Sequence, residues 1–229
     1  MSEWWTELST YTLSDLLMFS ARTYYRQFGM MNRELWPLQL PALAAGAAIL
    51  ACMLRAKPAG ARIGFALLAL AWLWVAWAYH LQRYADINTG APYFAAGFCA
   101  QAVLLGWMAA KRPVAPVVQG VAGKVAQLLV FLALGGYPLL AAIAGRGWWQ
   151  AEVFAFAPDP TVVATFGALL FWRAPWPLWV TPLLWCAVSS ATLMELRAPL
   201  PWLLPALALF SAAAGLALRS RRQQVSGTE

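Results

Sequence analysis

The sequence predicts an all-α fold: a polytopic bundle of about seven membrane-spanning helices, preceded by an amphipathic helix lying at the membrane surface. Three observations point that way. Only 11% of the residues are charged, where a soluble domain carries about 25%. The chain divides into apolar runs that approach the ~20 residues a helix needs to cross a hydrocarbon core. It also holds 14 Trp and 15 Pro, residues that membrane interfaces and spans accommodate. In such a chain the net charge of +7 reads by side of the membrane. It is not a nucleic-acid footprint, and no nucleic-acid partner is expected.

The expected spans follow in chain order. Trp36–Leu54 is the first, closed by the basic loop RAKPAGAR. Ile63–Leu81, Tyr93–Ala110 and Val125–Gly145 are the next three. Thr161–Trp172 is short for a crossing unless lengthened backwards through Val153–Ala157. Leu178–Met194 follows the break RAPWP, and Pro201–Leu218 ends in RSRR. The pair Thr161–Trp172 and Leu178–Met194 also reads as a re-entrant hairpin, which survives at membrane depth only when buried in protein. The organisation is thus a tail with its surface helix (1–34), a transmembrane domain (35–219) and a basic cytoplasmic tail (220–229).

Charge supports the odd number. With the N-terminus outside, the inside holds Arg55, Lys57, Arg62, Lys111, Arg112, Lys124, Arg173, Arg219, Arg221 and Arg222, ten basic residues against six outside. Basic residues favour the cytoplasmic side. Six spans would put RSRR outside. The opening MSEWWTE has no basic start and no apolar core, so no cleavable signal peptide is expected.

The stretch SDLLMFSARTYYRQFGMMNRELW is apolar but carries Arg22, Arg26 and Arg33. Thr12 and Asp15 read as a capping pair at a helix start. On a helical wheel Asp15, Arg22, Arg26 and Arg33 fall within an arc of roughly 40°. Leu13, Leu17, Tyr24, Phe28 and Met31 take the opposite face. Arginines at the bilayer centre cost several kcal/mol, so this helix is expected to lie in the interface, apolar face in the acyl boundary, with Gly29 as a point of interruption. The arginines then meet lipid headgroups, with one tie to Asp15 or Glu34. Alternatively they hold an anionic ligand or an acidic partner, for which a guanidinium pair is well shaped.

The residues Ser14, Asp15, Phe19, Ser20, Arg22, Thr23, Tyr24, Tyr25, Arg26, Asn32, Trp36 and Pro37 carry a resemblance. This block resembles the opening of a family of bacterial multi-pass inner-membrane proteins, a domain of unknown function. Ala21 departs from that pattern, which more often has proline there. The resemblance implies the bacterial inner membrane as location and membrane lipids as partners. It implies no established activity.

The chemistry-bearing residues are few. Cys52, Cys99 and Cys186 each fall inside an expected span with no paired spacing, as buried structural thiols do. A single histidine, His80, excludes a bis-His haem or a multi-His metal site within this chain. No cofactor and no metal is expected, and no catalytic residue is assigned. DINTG (Asp86–Gly90) mimics half of a calcium loop but lacks the acid at position twelve, so it reads as a turn. No phosphate loop, G-x-S-x-G or H-E-x-x-H occurs. Asp86, Glu152, Asp159 and Glu195 are expected in outer loops, where His80, Arg83 and Glu195 would form an outer-face site. Gln101 and Tyr137 are the expected polar pair inside the bundle, Tyr137 within the break LGGYPLL. No charged residue is expected at mid-span, which argues against an ion-coupled carrier.

Three functions remain open on this reading. The first is an accessory or assembly subunit of a membrane complex, with other membrane-protein subunits as partners. The second is a small-solute or lipid-handling permease built on the third, fourth and sixth spans. The third is an outer-face enzyme using Arg22, Arg26 and His80.

Overall fold

The computed structural model describes residues 19–56, 59–111 and 120–226, and these are helical throughout apart from their connections. Helix α1 is Ala21–Glu34, α2 Gln39–Leu54 and α3 Ala59–Trp74, which runs on as a π-helix to Leu81. Helix α4 is Ala91–Ala110 and α5 Gly120–Phe131. A π-turn, Leu132–Gly136, joins α5 to α6, Tyr137–Ile143. Then come α7 (Pro158–Phe171), α8 (Pro177–Glu195) and α9 (Leu203–Ser226). Every expected apolar run is found in a helix. The basic tail expected from 220 continues α9 as far as Ser226.

Among the described residues four helical stretches are long and apolar enough to cross a membrane: Ala59–Asp86, Ala91–Ala110, Gly120–Ile143 and Pro177–Glu195. A fifth is counted if α1 and α2, bent by 98° at their junction, make one span. Seven such helices are not found among the described residues. Helix α7, with 14 residues, is below crossing length.

Helix α1 starts at Ser20, whose Oγ accepts the Thr23 N–H at 3.2 Å, as an N-cap serine does. The expected capping pair Thr12 and Asp15 lies outside the described residues. The helix passes through Gly29 without interruption. Its two faces are as periodicity required: Tyr24, Phe28 and Met31 are buried, while Arg22, Arg26 and Arg33 are exposed. What the apolar face meets differs from expectation. Phe28 stacks on Tyr79 at 5.3 Å, and Tyr24 meets Tyr84 edge-on at 6.2 Å. The face is therefore sunk in the protein's own aromatic layer and not in acyl chains. Asn32 clamps the cap by donating to the carbonyls of Trp149 and Ala151, both at 2.8 Å. Helix α1 thus caps one end of the bundle, and among the described residues no helix covers the other, here called the uncapped end.

Helix α7 is the centre of the fold. All of its residues are buried, packed among α2, α3, α5, α8 and α9. A connection, 151–157, with a turn closed onto the Val153 carbonyl, leads into it from the capped end. Thr161 holds that entry, its Oγ1 accepting from the Ala155 N–H at 2.9 Å and donating to the Ala157 carbonyl at 2.8 Å. Small residues admit neighbours closely. Trp172 lies over Gly64 of α3, where any Cβ would collide with its ring. The Trp72 indole N–H donates to Thr165 Oγ1 at 2.8 Å, joining α3 to α7. Such close approach by small residues is how helices pack where the hydrophobic effect is weak.

The break in Gly120–Ile143 has a local cause. Pro138 has no N–H to return to the preceding turn, so the ladder slips into a π-turn just before it. π-turns of this kind recur at functional sites.

Candidate functional site

Helix α6 and the entry to α7 meet at a cavity of about 270 Å³ near the capped end. Tyr25, Tyr137, Arg146, Glu152, Asp159 and Leu203 are among the residues that line it. Asp159 sits in the first turn of α7 and is 2% exposed. Its carboxylate is held by three donors from two other elements. Trp185 Nε1 donates to Oδ1 at 2.8 Å, Ser189 Oγ to Oδ2 at 2.9 Å, and the Tyr137 hydroxyl to Oδ2 at a longer 3.4 Å. Trp185 and Ser189 are one turn apart on one face of α8, and Trp185 is near that helix's middle. Hydrogen bonds to an ionised acceptor stabilise it, and the positive end of α7 adds to this.

Glu152 and Arg146 line the same cavity. Their guanidinium–carboxylate distance is 3.4 Å, with both side chains largely buried. Arg146 also lies over the Tyr25 ring, 3.7 Å from its centre, a cation–π contact.

Arg146 and Ser189 were not singled out by sequence, and the two carboxylates were considered only as outer-face groups. Asp159 and Glu152 were expected in outer loops, and Asp159 is instead inside the bundle. One signal was present. In APDPTVV a proline at the first helical position marks a helix start, which places Asp159 inside the helix and not before it.

The residues that sequence did single out are dispersed. Tyr137 reaches the cavity, but its partner is Asp159. Gln101 is fully buried elsewhere in α4, its Nε2 donating to the Leu178 carbonyl at 2.9 Å. His80 is also fully buried. Phe98 and Trp185 lie 4.5 and 5.1 Å from its ring centre, and neither ring nitrogen has a partner. Arg83 pairs with Glu34 at 2.9 Å and donates to the Ala78 carbonyl at 2.7 Å. Aromatic rings wall His80 off from the outer face where it was expected with Arg83 and Glu195. Arg22, Arg26 and Arg33 line the exposed face of α1, and Glu34 is tied to Arg83 instead of to them. Cys52, Cys99 and Cys186 are free thiols. The Asp86–Gly90 stretch is a turn in which Asn88 Oδ1 accepts the Gly90 N–H at 2.8 Å.

Several helices of membrane-crossing length around a buried carboxylate define the class: a helical protein built for an apolar surround, with a buried carboxylate at an interior cavity. Within that class the chain belongs to the DUF6064 family, a family of unknown function, which matches residues 21–227. No curated protein and no solved structure matches it.

Proposed function

We propose that the chain is a multi-pass bacterial inner-membrane permease that takes a small organic ammonium ion at Asp159. The observation that carries this reading is the buried carboxylate facing a cavity. An ionisable residue inside a membrane bundle is a functional-site hypothesis by default. Arg146 and Glu152 offset one another, leaving Asp159 as an unmatched negative charge. Tyr25 and Tyr137 offer ring faces that suit a cation, while Leu140, Leu193 and Leu203 suit an alkyl body. A metal cation would want six or more oxygen ligands, and the cavity wall is too apolar for that. An accessory-subunit role is supported by no feature of comparable definition.

The proposed topology has seven passes with the capped end outside. They are α2, α3, α4, α5 with α6, residues 151–157 with α7, α8, and α9. Its support is the alternation of helix direction and the charge at the uncapped end. Arg55, Arg62 and Lys111 gather there, with Arg62 donating to the Ala109 carbonyl at 3.2 Å. Glu34 and Asp86 lie at the capped end. Basic residues belong inside.

The test is uptake of radiolabelled tetramethylammonium into proteoliposomes, since this ion cannot cross as a neutral amine. Wild type is expected to accumulate it above protein-free vesicles, and Asp159→Asn to abolish the difference. Equal flux in wild type and Asp159→Asn would sink the reading.

A further inference from the structure

A second cavity, a groove of about 620 Å³, opens between the α1–α2 elbow and the α5–α6 break. It has the size of a small-molecule site. Its composition is graded. Leu43, Leu134 and Gly135 line the part within the bundle, and Trp36, Gln39 and Trp149 the part at the capped end. Two features there call for a polar ligand. Gln39 is 6% exposed, and its Oε1 is buried without a partner. Its Nε2 is already committed to the Asn32 carbonyl at 2.9 Å, so the free oxygen needs a donor from outside. Arg33 stands exposed at the same end, its guanidinium 5.8 Å from the centre of the Trp149 ring, and its charge is not matched by Glu34, which pairs with Arg83.

We infer that this groove is a binding site for one phospholipid with an anionic, hydroxyl-bearing headgroup of the phosphatidylglycerol type. One acyl chain lies along Leu43, Leu134 and Gly135. The phosphate meets Arg33, and a headgroup hydroxyl donates to Gln39 Oε1. An apolar groove alone accepts any chain. The cation and the orphaned acceptor at one end select the headgroup. The inference rests on the membrane reading but not on the ammonium site, which lies in a separate cavity.

Gly135 supplies the test, because a Cβ built there meets no atom within 4 Å. Gly135→Phe therefore fills the groove from a position with free space. Purified protein in phosphatidylcholine vesicles would be probed with spin-labelled phosphatidylglycerol and, separately, spin-labelled phosphatidylcholine. Exposed basic residues at the general surface also favour the anionic label, so the part of the preference that filling the groove removes is what reads the site. Wild type is expected to immobilise phosphatidylglycerol severalfold in preference. Gly135→Phe should remove most of that preference, and so should Arg33→Ala, an exposed change that keeps the test alive if the first variant fails to fold. Equal immobilisation of the two labels by wild type, or a preference undiminished in Gly135→Phe and in Arg33→Ala, would overturn the proposal. Asp159→Asn should leave the preference intact, which separates this site from the transport reading.

Discussion

Asp159→Ala should lower the thermal stability of the detergent-solubilised protein by about 3 kcal/mol or more. The carboxylate is the common acceptor for Trp185, Ser189 and Tyr137. Truncation strands three buried donors on two elements, and each unsatisfied group costs about 1–3 kcal/mol. Water entering from the adjoining cavity would recover part of this, which is why the lower end of the sum is taken. Asp159→Asn keeps the shape and one acceptor oxygen, so its cost should be clearly smaller, while its effect on cation uptake should be as large. The pair separates holding the bundle together from binding a cation. Thermal unfolding in one detergent reads the first, and an alanine variant within about 0.5 kcal/mol of wild type would show that the three donors do not depend on Asp159.

Gly167→Ala should destabilise by about 1–3 kcal/mol. Glycine to alanine inside a helix ordinarily stabilises by roughly 0.5–1 kcal/mol, so the expected sign is reversed here. A Cβ at Gly167 would lie 2.6 Å from the Ala126 carbonyl oxygen and 2.8 Å from Val130 Cγ2. A backbone oxygen cannot rotate away as a flexible side chain can, so α5 and α7 must separate, and every contact along that seam loosens. Gly167→Val should be worse. Gly135→Ala, at a helical position with open space, is the control and should be neutral or stabilising by up to about 1 kcal/mol. Equal melting temperatures for Gly167→Ala and Gly135→Ala would mean that the seam yields freely.

Sequence and structure part company at identifiable residues. The positions of the helices were legible because an apolar run long enough to cross a membrane is a local property. The two faces of α1 were legible too, since Tyr24, Phe28 and Met31 against Arg22, Arg26 and Arg33 is a periodicity within fourteen residues. What covers the apolar face was not legible. Acyl chains and the rings of Tyr79 and Tyr84 are equally apolar, and the second depends on residues some fifty positions away. His80 shows the same limit. Its place at the end of an apolar run suggested access, but Phe98 and Trp185 close over it from two other helices.

The stretch Thr161–Trp172 allowed two readings, a short crossing or a re-entrant segment that must be buried in protein. Helix α7 meets the burial condition at every position. That outcome also explains why Asp159 was misplaced. A charge beside two prolines looks like a loop when only its neighbours in sequence are considered. It becomes an interior residue once Trp185 and Ser189, 26 and 30 positions later, turn their donors toward it.

By itself, then, the sequence determined where helices form, which faces of α1 are polar, and that the chain suits an apolar surround, because these follow from local composition and period. Only the tertiary structure decided that α7 is wrapped by its neighbours, that α1 caps the bundle, and that Asp159 shares a cavity with Glu152 and Arg146. Those depend on which surfaces meet. The stability of a buried charge is set by donors brought from distant segments, and no local pattern encodes their arrival.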